Sequence, residues 1–300
     1  MSFTKRTKEE LLKTGFGKIE EQLSEAYGFL LFSSQFNKNE IYFKSENQEI
    51  TKRLFDLIKN ISDVDGELFE KSGPKPYRFR ILNSDAEKVF NLFRNNDKIS
   101  LSVEADNIPP GTVKSFIKGV FFASGNIQDP EKGYRLEFVV KFMTLCISFI
   151  EFLSENDIMM SFSQRRDRYV VYTKDSAMIE DLLVLLGAHN SSLEIMNAKI
   201  YKDIRNRINR KTNFETANIN KTVMSAEPDC EAIQYLLEHT EPEDLSEELT
   251  AAALLRIENP DLSLTELSKI AVPKVSRSGL YHRIKKLVSM SEQIKLREEG

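Results

Sequence analysis

The chain lacks most of the side chains from which metal and redox sites are built. Its 300 residues include only two cysteines and three histidines. Cys146 and Cys230 lie far apart, and there is neither a CxxC pair nor a histidine cluster. No zinc site and no disulfide framework is indicated. Two isolated thiols suit a reducing compartment. A long apolar run is missing too: the most apolar stretch, 142–150, is bounded by Lys141 and Glu151. It is far short of the ~20 residues a membrane span requires. The opening Met1-Ser-Phe-Thr-Lys-Arg is too charged for an apolar targeting core. A cytoplasmic protein without metal, cofactor, membrane or small-molecule substrate is therefore expected. No heptad seam is legible that would choose an oligomeric state.

A net positive charge is also absent, since the formal balance is −4. That total argues mildly against a nucleic-acid partner, but the distribution reverses it. From 227 to 261 the chain is strongly acidic, with Arg256 its single Lys or Arg. Two basic islands flank this segment. One carries Lys199, Lys202, Arg205, Arg207, Arg210 and Lys211 against Asp203 alone, and the other runs from Lys274 to Lys286 without an acid. Local fields, rather than the sum, steer a polyanion. A hydrophobic content of 41% suffices for packed cores, and the length suggests two domains.

Within the first two hundred residues one pattern occurs twice. In the first half, helices are predicted over 18–33, 48–59 and 85–94, with strands at 41–43, 61–69 and 77–82. In the second half, helices are predicted over 112–123, 143–155 and 176–186, with strands at 134–140, 158–162 and 169–172. Gly73-Pro74 and Pro109-Pro110-Gly111 punctuate the halves. Mixed helices and antiparallel strands in this order indicate an α+β class.

The C-terminal region reads helix, tight turn, basic helix. Ser263 is a good N-cap and Glu266 stands at the capping-box spacing. Pro273 cannot continue the first helix. Ser276 can cap the second, in which Leu280, Ile284 and Leu287 share a face. A helix that is apolar behind and basic in front is what a DNA major groove accepts. The plainer reading is an amphipathic surface helix whose lysines complement the helix dipole.

The first helix of the second half contains Phe116-Ile-Lys-Gly-Val-Phe-Phe-Ala-Ser-Gly125, where Gly119 and Ala123 share a face. This helix is expected to end at Gly125, the usual C′ residue. The stretch resembles the LAGLIDADG motif of homing endonucleases, in which two such helices pack at the centre of a pseudo-twofold domain. The first half offers Ala26-Tyr-Gly-Phe-Leu-Leu-Phe-Ser-Ser34, and departs from the motif with Phe32 at a position that prefers a small residue. In that family an acidic residue closes each motif helix and the pair holds a divalent metal. The aligned positions here are Ser33 and Ser124. A neutral hydroxyl holds Mg²⁺ poorly. Asp129 and Glu131 follow soon after, as expected loop residues.

Leu185-Leu-Gly-Ala-His-Asn190, Asp203-Ile-Arg-Asn-Arg-Ile-Asn-Arg-Lys211 and Thr212-Asn-Phe-Glu-Thr-Ala-Asn-Ile-Asn-Lys-Thr222, together with Val275 to Leu287, are similar to the bacterial WhiA family. The resemblance spans nearly the whole chain and is most specific over 187–222. It implies a degenerate LAGLIDADG domain of two α-β-β-α-β-β-α repeats, 1–105 and 106–200. A basic connecting segment, 201–225, and an all-α helix-turn-helix domain, 226–300, follow. It also implies transcriptional control linked to sporulation in some bacteria and to cell division and chromosome segregation in others.

On this reading Ser276, Arg277, Ser278, Tyr281, His282 and Arg283 face DNA, and Lys274, Lys285 and Lys286 contact phosphates. The acidic 227–261 segment is expected on the far side. Lys202, Arg205, Arg207, Arg210 and Lys211 are either a second DNA contact or a solvated connecting helix. His189 is expected to cap or pack. The implied partner is double-stranded DNA, with RNA polymerase or another regulator as the class of protein partner and the nucleoid as the location. The implied function is a non-enzymatic, sequence-specific regulator. Two alternatives remain open: a protein-interaction scaffold, and a metal-dependent endonuclease.

Overall fold

A computed structural model describes residues 1–73, 75–93, 101–241 and 244–298. The chain forms two compact units, 1–201 and 202–300.

Unit 1 opens with α1 (Phe3–Leu12), which the periodicity did not reveal. The first repeat follows: α2 (Ile19–Leu31), β1 (Gln35–Phe36), β2 (Glu40–Ser45), α3 (Gln48–Ser62), β3 (Glu67–Phe69), β4 (Tyr77–Leu82) and α4 (Asn83–Asn91). The second consists of α5 (Val113–Ser124), β5 (Gly125–Ile127), β6 (Leu136–Val140), α6 (Met143–Glu155), β7 (Ser161–Arg165), β8 (Arg168–Thr173) and α7 (Ser176–Leu186). Each repeat builds one antiparallel sheet, in the orders β1-β2-β4-β3 and β5-β6-β8-β7, so the two are topological copies. The predicted α+β repeat is therefore present.

Four local expectations need correcting. The strand predicted over 61–69 shrinks to Glu67–Phe69 because α3 continues to Ser62 and stops at Asp63, which is left-handed at φ 54°. The strand predicted over 158–162 moves to Ser161–Arg165, since Ile158 donates its N–H to Leu153 O at 2.9 Å and finishes the α6 turn. Gly125 is extended at φ −74°, not left-handed as a C′ residue usually is, and passes straight into β5. Its missing side chain matters for room instead: a Cβ there would lie 2.7 Å from the Phe121 carbonyl oxygen. The helix predicted over 85–94 ends at Asn91. Arg94 lies outside the described residues, as does Pro74 of the Gly73-Pro74 punctuation.

The most extensive helix contact among the described residues is between α2 and α5. It is backbone against backbone. A Cβ on Gly28 would overlap Phe116 O and sit 2.9 Å from Val120 N. A Cβ on Gly119 would overlap Glu25 O and sit 2.9 Å from Phe29 N. Aromatic rings close the core around this seam: Phe29 stacks on Phe122 at 5.4 Å, and Phe32 meets Phe149 edge-on at 4.9 Å. Phe32, anomalous against the motif, thus fills core space between the repeats. Each fully buried Phe contributes roughly 2–3 kcal/mol by area. A carboxylate is buried at the seam with its partners: Glu25 accepts from the buried Arg53 and, at 3.0 Å, from Lys118.

α1 ties the second repeat to the helix that succeeds it. Thr4 Oγ1 donates to Ile127 O at 2.8 Å. The Glu10 carboxylate accepts from Asn190 N at 2.7 Å and Ser191 N at 3.0 Å. Those N–H groups belong to the first turn of α8 (His189–Glu238), so a distant carboxylate caps this helix. His189 is exposed at its start. Lys8 donates to Phe122 O at 3.1 Å and lies over the Phe121 ring. Removal from water pushes its pKa down to about 8.

Unit 2 contains the rest of α8, then α9 (Glu247–Glu258), α10 (Leu264–Ile270) and α11 (Arg277–Glu298). Ile233, Leu236, Leu249, Ala253, Leu267, Leu280, Ile284 and Leu287 form its core. Cys230 lies in α8 and Cys146 in α6, where burial raises its pKa. No helix among the described residues is long and apolar enough to cross a membrane.

Two outcomes are expected. Gly119→Ala should cost about 2–4 kcal/mol in urea denaturation, because backbone cannot yield as a side chain can. A loss under about 0.5 kcal/mol would mean that the two helices part freely. The unfolded chain holds the Lys8 proton up to its ordinary range, the folded chain only to about 8. Between about pH 8 and 10.5 the unfolded state binds more protons, so this group makes stability rise with pH. Lys8→Met should flatten that rise in denaturation curves taken across the window.

Candidate nucleic-acid interface

α10 is short, and its start is fixed by side chains. Ser263 Oγ accepts from Glu266 N at 3.3 Å, and Glu266 accepts from Ser263 N at 2.9 Å and from its hydroxyl at 2.7 Å. These donors hold the Glu266 carboxyl below its usual range. The loop before α10 is held from beneath by Arg256, the one cation of the acidic segment. Its guanidinium is buried and donates to Leu262 O at 2.8 Å and Pro260 O at 3.0 Å. Leu267 then anchors α10 in the core.

After the turn at Pro273, Ser276 caps α11, its Oγ accepting from Gly279 N at 3.1 Å. Leu280, Ile284 and Leu287 are buried, as their spacing predicted. The other side of the helix carries two rows at successive turns: Arg277, Tyr281 and Lys285, and Ser278, His282 and Lys286. All six are exposed, as are Lys274 and Ser276. Tyr281 and His282 meet at 5.7 Å, ring edge to ring face. Eight of the nine residues singled out in this helix and its approach are thus exposed, six of them in two rows on the side of α11 away from its apolar back.

Arg283 differs. It is half-buried and pairs with Glu248 of α9 at 2.7 Å. The acidic segment is therefore not wholly on the far side: α9 packs against α11 and brings one carboxylate to its flank. Sequence reasoning missed Glu248 because nothing local connects positions 35 residues apart.

The first basic island lies on α8. Lys199 pairs with Glu180 at 3.7 Å and Lys211 with Glu215 at 3.9 Å. Arg205, Arg207 and Arg210 are exposed, and Lys202 is half-exposed.

Ser33 and Ser124, at the ends of the glycine-bearing helices, turn their hydroxyls onto backbone. Ser33 Oγ donates to Gln35 O at 2.9 Å and Ser124 Oγ to Val120 O at 3.1 Å. Asp129 and Glu131 come after β5, where Asp129 accepts from Glu131 N at 3.0 Å in a local turn. Among the described residues, no group of three or more His, Cys, Asp and Glu is placed to hold a metal.

Arg256→Ala leaves two carbonyls and the loop before α10 unsupported. It should cost about 2–3 kcal/mol, read from the thermal unfolding of the whole chain. An unchanged melting temperature would mean that water replaces the guanidinium without loss.

Two family profiles match the sequence: the WhiA LAGLIDADG-like domain over residues 113–205 and the WhiA C-terminal HTH domain over residues 208–291. Probable cell division protein WhiA of Thermoanaerobacter pseudethanolicus is 30% identical over 315 residues, covering 99% of each chain. The protein of the same name from Clostridium tetani is 31% identical over 321 residues, with 98% of each covered. Among solved structures, full-length WhiA from Thermotoga maritima superposes with a TM-score of 0.56 at 25% identity, covering 98% of this chain and 99% of that one.

Proposed function

The chain belongs to the WhiA family, and on that footing we propose that it is a sequence-specific double-stranded-DNA-binding regulator of bacterial cell division and chromosome segregation, without nuclease activity. The observation that carries this is the exposed face of α11, where cations and hydrogen-bonding side chains are ranged over an apolar back. α10 braces the helix from behind. The N-terminal turns of a recognition helix reach base edges, which assigns readout to Ser276, Arg277 and Ser278. Tyr281 and His282 lie one turn further along. Lys274, Lys285 and Lys286 suit phosphate. Arg283, held by Glu248, serves more as a strut than as a contact. The site of action is the cytoplasm at the nucleoid, where RNA polymerase or another regulator is a fitting partner.

Absence of nuclease chemistry follows from charge. A divalent ion near a scissile phosphate requires carboxylate oxygens, and the two motif helices end in hydroxyls already engaged with backbone. Supercoiled plasmid incubated with the protein and Mg²⁺ or Mn²⁺ should stay uncut. Cutting that disappears on replacing Asp129 or Glu131 would overturn this part of the reading.

Binding is tested by fluorescence anisotropy on random and genome-derived duplexes at several salt concentrations. With roughly four phosphate contacts, log K should fall with a slope of about −3 to −4 against log salt. Arg277→Ala should cost about 1–3 kcal/mol on the preferred duplex and relax specificity there. Replacing Lys285 and Lys286 should weaken all duplexes alike. A flat salt dependence would remove DNA from the function.

A further inference from the structure

The stretch of α8 from Lys202 to Met224 belongs to unit 2 but contributes nothing to its core. Every residue from 203 to 221 is exposed. Packing of an apolar face normally stabilises a helix in a protein, and here such packing is absent over more than five turns. The stretch carries six cations, Lys202, Arg205, Arg207, Arg210, Lys211 and Lys221, against Asp203 and Glu215. It also carries asparagine at 206, 209, 213, 218 and 220. At about 100° per residue, Asn206, Asn209, Asn213 and Asn220 fall within an arc of about 60°, with Lys202 inside it and Arg210 beside it. They span about 21 Å of helix.

This row has no structural use. Asparagine is a weak helix former. Among the described residues none of these four amides has a hydrogen-bond partner, and none is buried. A side-chain amide does have one well-matched ligand in the major groove, the N6/N7 edge of adenine, which it meets bidentately. Flanking cations supply phosphate contacts. The opposite side of the helix carries Ile204, Ile208 and Ile219, but Lys211 and Glu215 interrupt the row. That is too broken for the apolar seam a second copy would need.

We propose that residues 202–224 form a second DNA-reading helix, its asparagine row facing adenine edges in a major groove and its flanking cations gripping the phosphates. The proposal rests on the DNA-binding reading above and extends it. The target would then have two parts, one for α11 and an adenine-containing one for this helix.

The test uses the full chain. A preferred duplex is selected from random 40-base-pair DNA with the unaltered protein, then titrated and footprinted with hydroxyl radicals. Asn209→Ala with Asn213→Ala should weaken binding to that duplex about tenfold or more and shorten the footprint. Its melting temperature should hold or rise, because alanine is the better helix former; a purely structural role for the asparagines predicts no loss of binding. Arg205→Gln with Arg210→Gln, the two cations on either edge of the row, should reduce the salt slope by about 1–2. If affinity, footprint and slope stay unchanged in both variants while Arg277→Ala loses affinity, the second helix is disproved and α11 alone reads DNA. If the unaltered chain binds none of the duplexes, the DNA-binding reading fails and this proposal with it.

Discussion

Two glycines determine how near the central helices of unit 1 can come. Gly28 and Gly119 each face the partner's backbone, and neither position has space for even one more carbon. Backbone atoms cannot rotate away as side chains can, so this contact acts as a fixed datum. The rest of the unit is built outward from it. Phenylalanines on both helices bury against one another and against α6. α5 enters β5 without an intervening residue, and the two sheets repeat the same strand order. A buried Glu25 shared by Arg53 and Lys118 links α2, α3 and α5 through charge.

In this LAGLIDADG-like architecture, helix packing and metal binding place separate demands on the chain. The packing depends on glycine and aromatic residues in the middle of the helices. Metal binding would depend on one charged residue at each helix end. Those are separate positions under separate physical demands. Serine at 33 and 124 leaves the seam intact while removing the charge, since each hydroxyl is content with a nearby carbonyl.

Unit 2 relies on different means. Its helices are short or weakly apolar, so fixed polar contacts do much of the orienting: the Ser263–Glu266 capping box, the Ser276 cap and the Arg256 guanidinium under the loop before α10. The accessible face of α11 is left free by this arrangement because each anchor lies behind it or at its ends. Glu248 restrains Arg283 at one flank and thereby narrows the face to the two rows on the opposite side.

Much of this was legible locally. The repeat, the strand alternation, the apolar back of α11 and the capping box all follow from side-chain spacing and propensity over a few residues, which a chain displays whether folded or not. The seam was partly legible, for Gly119 was visible as a small residue on a helix face, but its reciprocal partner Gly28 became meaningful only once the helices met. The ends of strands 61–69 and 158–162 were misplaced because α3 runs on to a left-handed stop at Asp63 and the Ile158 N–H closes back on Leu153 O after α6. α1 and its Glu10 cap on α8, 180 residues away, were invisible, as was the tie between Glu248 and Arg283. The sequence by itself determined which residues could form each element and which face would be apolar, since those are short-range properties. Only the tertiary structure decided which charges are spent on the protein itself and which stay available, because that depends on contacts between positions far apart in the chain.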